Sequence, residues 1–298
     1  MNDCEKLEQT VNGFCEYISS LPDENKAEAT WGPKEVLAHL VQFHENFVDQ
    51  AEALLADKEF GNLQGRFDQV NAQAVDSSRG VMVEKLTQRF KVADKRLRHF
   101  ALSCDAEKLQ VKLKADSKPQ SLASVITMVE HHIRSHHRKL LRGETFVSHA
   151  DQLAQTIQQF CDFFGALCEE VLVEHEAHFR PILCPIVFWH ENAVAQAEAI
   201  LYSEPSKVPA GRLSDINAAA IQSNHNVPIT TLTARLKIAN QKLQDVAELY
   251  DPDDLTLVVR KNGKPLTFTR LMDRLETDIR RRLIDLKKFV KESAMLKG

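Results

Sequence analysis

The chain repeats itself once along its length, and this repeat limits its possible folds more than any other feature. The segment HENFVDQAEALL at His44 to Leu55 returns as HENAVAQAEAIL at His190 to Leu201, which is 146 residues later. The same offset carries GRFDQVNAQAV, starting at Gly65, onto GRLSDINAAAI, starting at Gly211. One offset that holds along the whole chain without an insertion predicts a tandem duplication.

The two predicted domains span residues 1–146 and 147–298, and the segment RGETFVSHADQ links them. A repeat of this length is far longer than the roughly 20–50 residues of a solenoid unit. It is also long enough to bury a hydrophobic core of its own. We therefore expect two complete domains rather than a stack of small repeats.

Each copy is predicted to contain four amphipathic helices. The chain has only 10 glycines and 10 prolines, which favours helix over sheet. In the first copy, apolar residues recur every three or four positions in residues 3–21, 33–57, 67–102 and 122–141, with a break in the third region near Gly80. The pattern predicts an all-α chain of two tandem four-helix bundles. We expect a monomer in which the two copies pair as an internal pseudo-symmetric dimer.

The segment MVEHHIRSHHRKLL in the fourth predicted helix holds four histidines within seven residues. His132 and His136 are four residues apart, so they lie one turn above each other on one helix face. They also lie next to the apolar stripe of that helix, and a pair at this spacing can chelate one metal ion. His137 is an alternative ligand, because Leu283 takes its place in the second copy. His131 is the member expected to point outward.

A third ligand is predicted on the second helix, where His39 lies on an apolar face. The second copy has Pro185 at this position, and it has Asp278 and Arg282 at the positions of the helix-four pair. All three candidate ligands are thus replaced together, which favours a three-histidine site that the second copy lacks. There are two alternatives to a metal site. His39 could be a core residue without a ligand role, or the three positions could be exposed and have changed independently. Asp278 and Arg282 are predicted to form an ion pair, either in place of the metal or on the surface.

Other residues of the second helix persist in both copies. His44 and Glu45 return as His190 and Glu191. Persistence in a copy that has lost the candidate ligands indicates a structural role shared by both domains. We therefore assign neither residue to catalysis, and the sequence gives no clear general base.

Two segments of the first copy resemble the DinB/YfiT-like superfamily of bacterial four-helix bundles. WGPKEVLAHL at Trp31 to Leu40 looks like the family's entry into helix two with its first histidine ligand. HHIRSHHRKLL at His131 to Leu141 is similar to its H-x-x-x-H followed by an arginine. The resemblance implies a divalent metal, zinc or nickel, held by His39, His132 and His136 in the first domain only.

The resemblance also implies a reaction on a small molecule. Three neutral imidazoles leave a divalent ion with an open position for water or a thiolate, whose pKa the metal lowers. We expect a metal-dependent hydrolase, or a thiol transferase that uses a low-molecular-weight thiol. The alternative is a non-catalytic protein of the stress or self-resistance type, which binds a small molecule or acts as a scaffold.

Composition excludes several other classes of protein. The net charge of −4 argues against a nucleic-acid binder, which would usually be basic. No apolar run approaches the roughly 20 residues that span a membrane, and the polar N-terminal segment does not resemble a signal peptide. The six cysteines form no C-x-x-C pair and are predicted to be reduced thiols. A cytoplasmic location is therefore expected.

Overall fold

The computed structural model describes residues 2–22, 31–65, 67–113, 115, 117–143, 149–202, 204–250 and 252–295. Helices dominate these residues, so the chain is all-α, and the strands form only two short hairpins. Part of the predicted connection between the copies, residues 144–148, lies outside the described residues. Among the described residues, no helix has the length and apolar character needed to cross a membrane.

Contacts between Cα atoms divide the chain into two compact units. Unit 1 comprises Met1–Phe146 with Glu248–Asp251, and unit 2 comprises Val147–Ala247 with Pro252–Gly298. The elements in the first half of the chain are α1 (Asp3–Ser20), α2 (Pro33–Leu55), α3 (Phe67–Ser77), α4 (Val83–Ser103), β1 (Gln110–Val111), β2 (Gln120–Ser121) and α5 (Leu122–Arg142).

The second half of the chain contains α6 (His149–Gly165), α7 (Glu169–Glu174), α8 (Glu176–Leu201), α9 (Leu213–Ser223), α10 (Ile229–Leu249), β3 (Thr256–Leu257), β4 (Leu266–Thr267) and α11 (Phe268–Met295). The bounds of α9, α10, β3 and β4 each lie 146 residues after those of α3, α4, β1 and β2. The offset read from the sequence therefore also relates the elements of the two halves.

Helix packing in unit 1 follows the predicted apolar stripes. The helix α2 packs against α3, α4 and α5, and α1 packs against α4 and α5. The buried side chains of α1 are Leu7, Val11, Phe14, Cys15 and Ile18, which is the spacing of one helix face. Asn2 and Glu5 form a capping box at its start, and the helix ends before Pro22, as predicted. Two short antiparallel strands, β1 and β2, then lead directly into α5.

An ion pair links α2 to α4 in the first half of the chain and α8 to α10 in the second half. Arg89 Nε and Nη2 donate to the two carboxylate oxygens of Glu45 at 2.9 and 2.6 Å. Arg235 donates in the same way to Glu191 at 2.8 and 2.7 Å. These bidentate bonds tie α2 to α4 and α8 to α10. They give Glu45 and Glu191 the shared structural role that their persistence predicts.

A buried acidic side chain distinguishes α4 from α10. Asp94 is buried, and its Oδ2 accepts a bond of 2.9 Å from Arg98 Nε. Burial raises the pKa of Asp94 from 3.8 to about 6, although Arg98 acts in the opposite direction. Unit 2 has the neutral residues Asn240 and Gln244 at these positions, with their amide atoms 3.4 Å apart. The ionised carboxylate therefore carries a desolvation cost in unit 1 only.

Replacing Asp94 with asparagine should stabilise unit 1 above pH 6. The folded pKa lies above the unfolded one, so the stabilisation from this carboxyl is present below about pH 4 and is lost as pH rises through 6. Asp94→Asn should raise the free energy of unfolding by about 2 to 3 kcal/mol at pH 8 and by little at pH 4. Denaturant unfolding followed by the fluorescence of Trp31, with Trp189 changed to Phe, measures this free energy for unit 1. Equal stability of Asp94→Asn and the parent at pH 8 would contradict this prediction.

Candidate metal centre

Two helices place three histidines at one point inside unit 1. The helix α2 begins at Pro33, whose fixed φ suits a first turn, and it buries His39 near its start. The helix α5 begins after Ser121, whose hydroxyl accepts a bond from the backbone nitrogen of Ser124. Its apolar stripe packs into the core and carries His132 and His136 inward with it.

His39, His132 and His136 form a buried group that could hold a metal ion. The distance from His39 Nε2 to His132 Nε2 is 3.0 Å, and that from His132 Nε2 to His136 Nε2 is 2.9 Å. The ligand atoms of all three lie within 4.8 Å of one another, and each side chain is at most 3% exposed. Among the described residues, no other set of three histidines, cysteines or carboxylates comes together in this way.

The three imidazoles are held in the neutral form that metal ligands require. Burial lowers the pKa of His39 to about 3, against a smaller opposite effect of Asn71. Burial also lowers the pKa of His132 and of His136 well below 6.5, and the charge on a neighbouring histidine would lower each further. Lone pairs are therefore available on this cluster near neutral pH.

The spacing of the ring nitrogens fits one small divalent ion. Two imidazole nitrogens at the usual distances from zinc in a tetrahedral site lie about 3.3 Å apart. The nitrogens of His39, His132 and His136 approach to 2.9 and 3.0 Å, so an ion would need them to separate by only a few tenths of an ångström. The same distances suit N–H···N hydrogen bonds between the rings, in which only one nitrogen of each pair carries the hydrogen.

Aromatic rings surround the cluster. The ring centroid of Phe43 lies 4.9 Å from that of His39 and 6.0 Å from that of His132. Trp31 contacts His39 edge to face at 5.9 Å between centroids. The rings of Phe43 and Trp31 limit the access of water to the three imidazoles and so account for their lowered pKa values. Trp31 also has a positive φ of 60°, which is uncommon for a bulky residue.

The other two histidines of α5 point elsewhere. The ring of His137 packs against Phe14 and Tyr17 of α1, with centroids 5.7 and 5.0 Å apart. His131 is partly exposed and lies beside Arg134. The structure thus places His136 rather than His137 with His132, and it answers a question that helical periodicity left open.

The corresponding positions of unit 2 hold no such group. Pro185 lies inside α8, where His39 would be, and a second proline, Pro181, lies one turn before it. Asp278 and Arg282 are 45% and 42% exposed, and their closest charged atoms are 3.6 Å apart. Asp278 is also bonded to Arg281 at 2.9 Å. Asp278 and Arg282 were predicted to pair either in place of the metal or on the surface, and their exposure agrees with a surface pair. Neither side chain is buried as its histidine counterpart in unit 1 is.

Two buried polar residues on α2 and α3 were not predicted from the sequence. Glu35 is 5% exposed and lies on the His39 face of α2, one turn earlier. Asn71 on α3 is 2% exposed. The repeat could have indicated Glu35, because Pro181 replaces it in the copy that lacks the three histidines. It could not have indicated Asn71, because the same residue type persists there as Asn217.

His44 and its counterpart His190 have a different, local role. In each, Nδ1 lies within hydrogen-bonding distance of the backbone oxygen four residues earlier, Leu40 or Ile186, at 3.0 and 2.8 Å. Burial lowers the pKa of both to about 4. The same bond in both halves gives these histidines a shared structural role.

Comparison of the chain with known protein families, with curated proteins and with solved structures finds no match.

Proposed function

We propose that unit 1 is a metal-dependent enzyme of the DinB-like type. It binds one divalent ion, zinc or nickel, through His39, His132 and His136, and it acts on a small molecule as a hydrolase or a thiol transferase. One observation carries this proposal: three buried, neutral imidazoles on two helices direct their Nε2 atoms to one point. The packing of α2 against α4 and α5, and of α1 against the same two helices, supports the likeness to a DinB-like bundle.

The residues around the cluster have defined parts in this proposal. A divalent ion with three histidine ligands lowers the pKa of a water or thiol in its open position and so supplies a nucleophile near neutral pH. Phe43 and Trp31 exclude bulk water, which strengthens the electrostatic interactions inside the site. Glu35 is the buried carboxylate on the His39 face of α2, and it would accept the proton that the nucleophile releases.

The burial of the cluster favours a second candidate function. His39, His132 and His136 are each at most 3% exposed, and closed sites are typical of structural metal ions. In this case the ion stabilises unit 1, and the chain is a non-catalytic binding or scaffold protein. The two candidates differ in whether an external ligand can reach the metal.

Untagged chain should contain about one divalent ion per molecule, because a three-histidine cluster is found in unit 1 alone among the residues that the structure describes. Elemental analysis of dialysed protein measures this stoichiometry. A chain that contains no ion and gains no thermal stability on addition of Zn²⁺ or Ni²⁺ would refute metal binding.

Substitution with Co²⁺ then separates the two candidate functions. In an open site, an added small thiol should produce a thiolate-to-cobalt charge-transfer band, and turnover of activated esters or thiol acceptors should depend on metal. Glu35→Gln should keep the metal and lower that turnover. A cobalt spectrum that does not respond to thiol favours the structural ion instead.

A further inference from the structure

The helix α3 covers the metal-binding face of α2. Phe67 of α3 stacks on Phe43 of α2, with ring centroids 5.7 Å apart and planes 27° apart. One turn from this contact, toward the start of α2, lies His39. One turn from it, toward the end of α3, lies Asn71. The Asn71 side chain also interacts with the His39 ring, so the contact between α3 and α2 places Asn71 beside His39.

Two buried atoms in this arrangement have no hydrogen-bond partner among the described residues, and they are complementary. They are Nδ1 of His39 and Oδ1 of Asn71. An imidazole nitrogen that carries hydrogen is a donor, and an amide oxygen is an acceptor. A buried polar atom without a partner costs free energy, so a small rotation of the Asn71 amide that joins them is favourable. The other ring nitrogen of His39, Nε2, faces His132 at 3.0 Å.

Unit 2 provides an internal comparison for this asparagine. Asn217 occupies the position of Asn71, and its Oδ1 accepts a hydrogen bond of 2.9 Å from Trp189 Nε1. Trp189 stands where unit 1 has Phe43, and Pro185 stands where it has His39. The amide oxygen on α9 thus accepts from a ring N–H of α8. In unit 1, Phe43 offers no N–H, and His39 is the ring that can donate in its place.

We propose that Asn71 is a positioning residue for the metal centre. Its Oδ1 accepts the Nδ1 hydrogen of His39, which fixes the tautomer that has its lone pair on Nε2, directed at a divalent cation. This inference rests on the proposed metal site, since it assigns a partner to one of the three ligands. Outer hydrogen bonds of this kind orient ligating histidines, and their loss typically lowers metal affinity by about 10- to 100-fold.

The test uses the full chain and Zn²⁺ in competition with a chromophoric chelator. Asn71→Ala should weaken Zn²⁺ binding by about 10- to 100-fold. Asn71→Asp should restore it, because a carboxylate also accepts the hydrogen. Asn217→Ala is the matched control in unit 2 and should leave the affinity unchanged. Equal affinities of Asn71→Ala and the parent chain would overturn the proposal.

A second measurement without metal separates this inference from the proposed function. In ¹⁵N-histidine-labelled chain, NMR should show His39 protonated at Nδ1, and Asn71→Ala should abolish this preference. If the parent chain binds no Zn²⁺ but shows this tautomer, the metal site fails and the role of Asn71 stands. A His39 protonated at Nε2 in the metal-free parent chain, or a tautomer unaffected by Asn71→Ala, would overturn the role of Asn71.

Discussion

Replacing His132 with alanine should abolish tight binding of divalent metal ions to the chain. His132 is the central member of the cluster, because its Nε2 lies 3.0 Å from that of His39 and 2.9 Å from that of His136. Binding energies of about 10–16 kcal/mol for structural zinc are shared among its ligands, so the loss of one predicts a decrease on the order of 100-fold or more in affinity. Isothermal titration of the metal-free chain with Zn²⁺ measures the decrease.

Two matched substitutions control for indirect effects of this change. His131→Ala removes the neighbouring, partly exposed histidine of the same helix. Asp278→Ala removes the exposed side chain at the equivalent position of unit 2. Both variants should bind Zn²⁺ as the parent chain does. If His131→Ala abolished binding, or if His132→Ala left it intact, the assignment of the ligands would be wrong.

Acid should destabilise both units through histidines that are not metal ligands. Burial lowers the pKa of His44 and of His190 to about 4, whereas an unfolded histidine has a pKa near 6.5. The unfolded chain therefore binds more protons below pH 6.5, and stability falls as pH decreases from 6.5 toward 4. At pH 5 each of the two histidines should lower the free energy of unfolding by about 2 kcal/mol relative to pH 8.

The two tryptophans allow each contribution to be measured separately. Trp31 lies in unit 1 and Trp189 in unit 2, so single-tryptophan variants report each unit. His44→Gln keeps a donor for the backbone oxygen of Leu40 and removes the titration, and His190→Gln does the same for Ile186. Each should reduce the difference in stability between pH 8 and pH 5 in its own unit only. An unchanged difference in either variant would contradict the assignment.

Much of this architecture could be predicted from the sequence, because the pattern that specifies it is local. Apolar periodicity predicted α2, and Gly80 predicted the break between α3 and α4. The internal repeat and the four-residue spacing favoured His39, His132 and His136, which all change in the second copy, and they left His137 as an alternative. The structure brings these three residues into one buried group.

Other features depend on contacts between segments and could not be predicted in this way. Whether His137 or His136 faced the cluster required the position of α1, whose Phe14 and Tyr17 contact His137. The helix α8 continues through Pro185 although proline removes a backbone hydrogen bond, and buried neighbours on the same helix, such as Val187, support it. The burial of Asn71 depends on how α3 lies over α2, which no helical period specifies.

Pro185 of α8 has a consequence for how a metal site could arise in unit 2. A cluster like that of unit 1 would require histidine at Pro185, Asp278 and Arg282 together. One or two histidines would bind an ion weakly, and two of these positions now face solvent. No single replacement would create a three-ligand group, so we expect no metal site to arise in unit 2 through single substitutions that are each favourable.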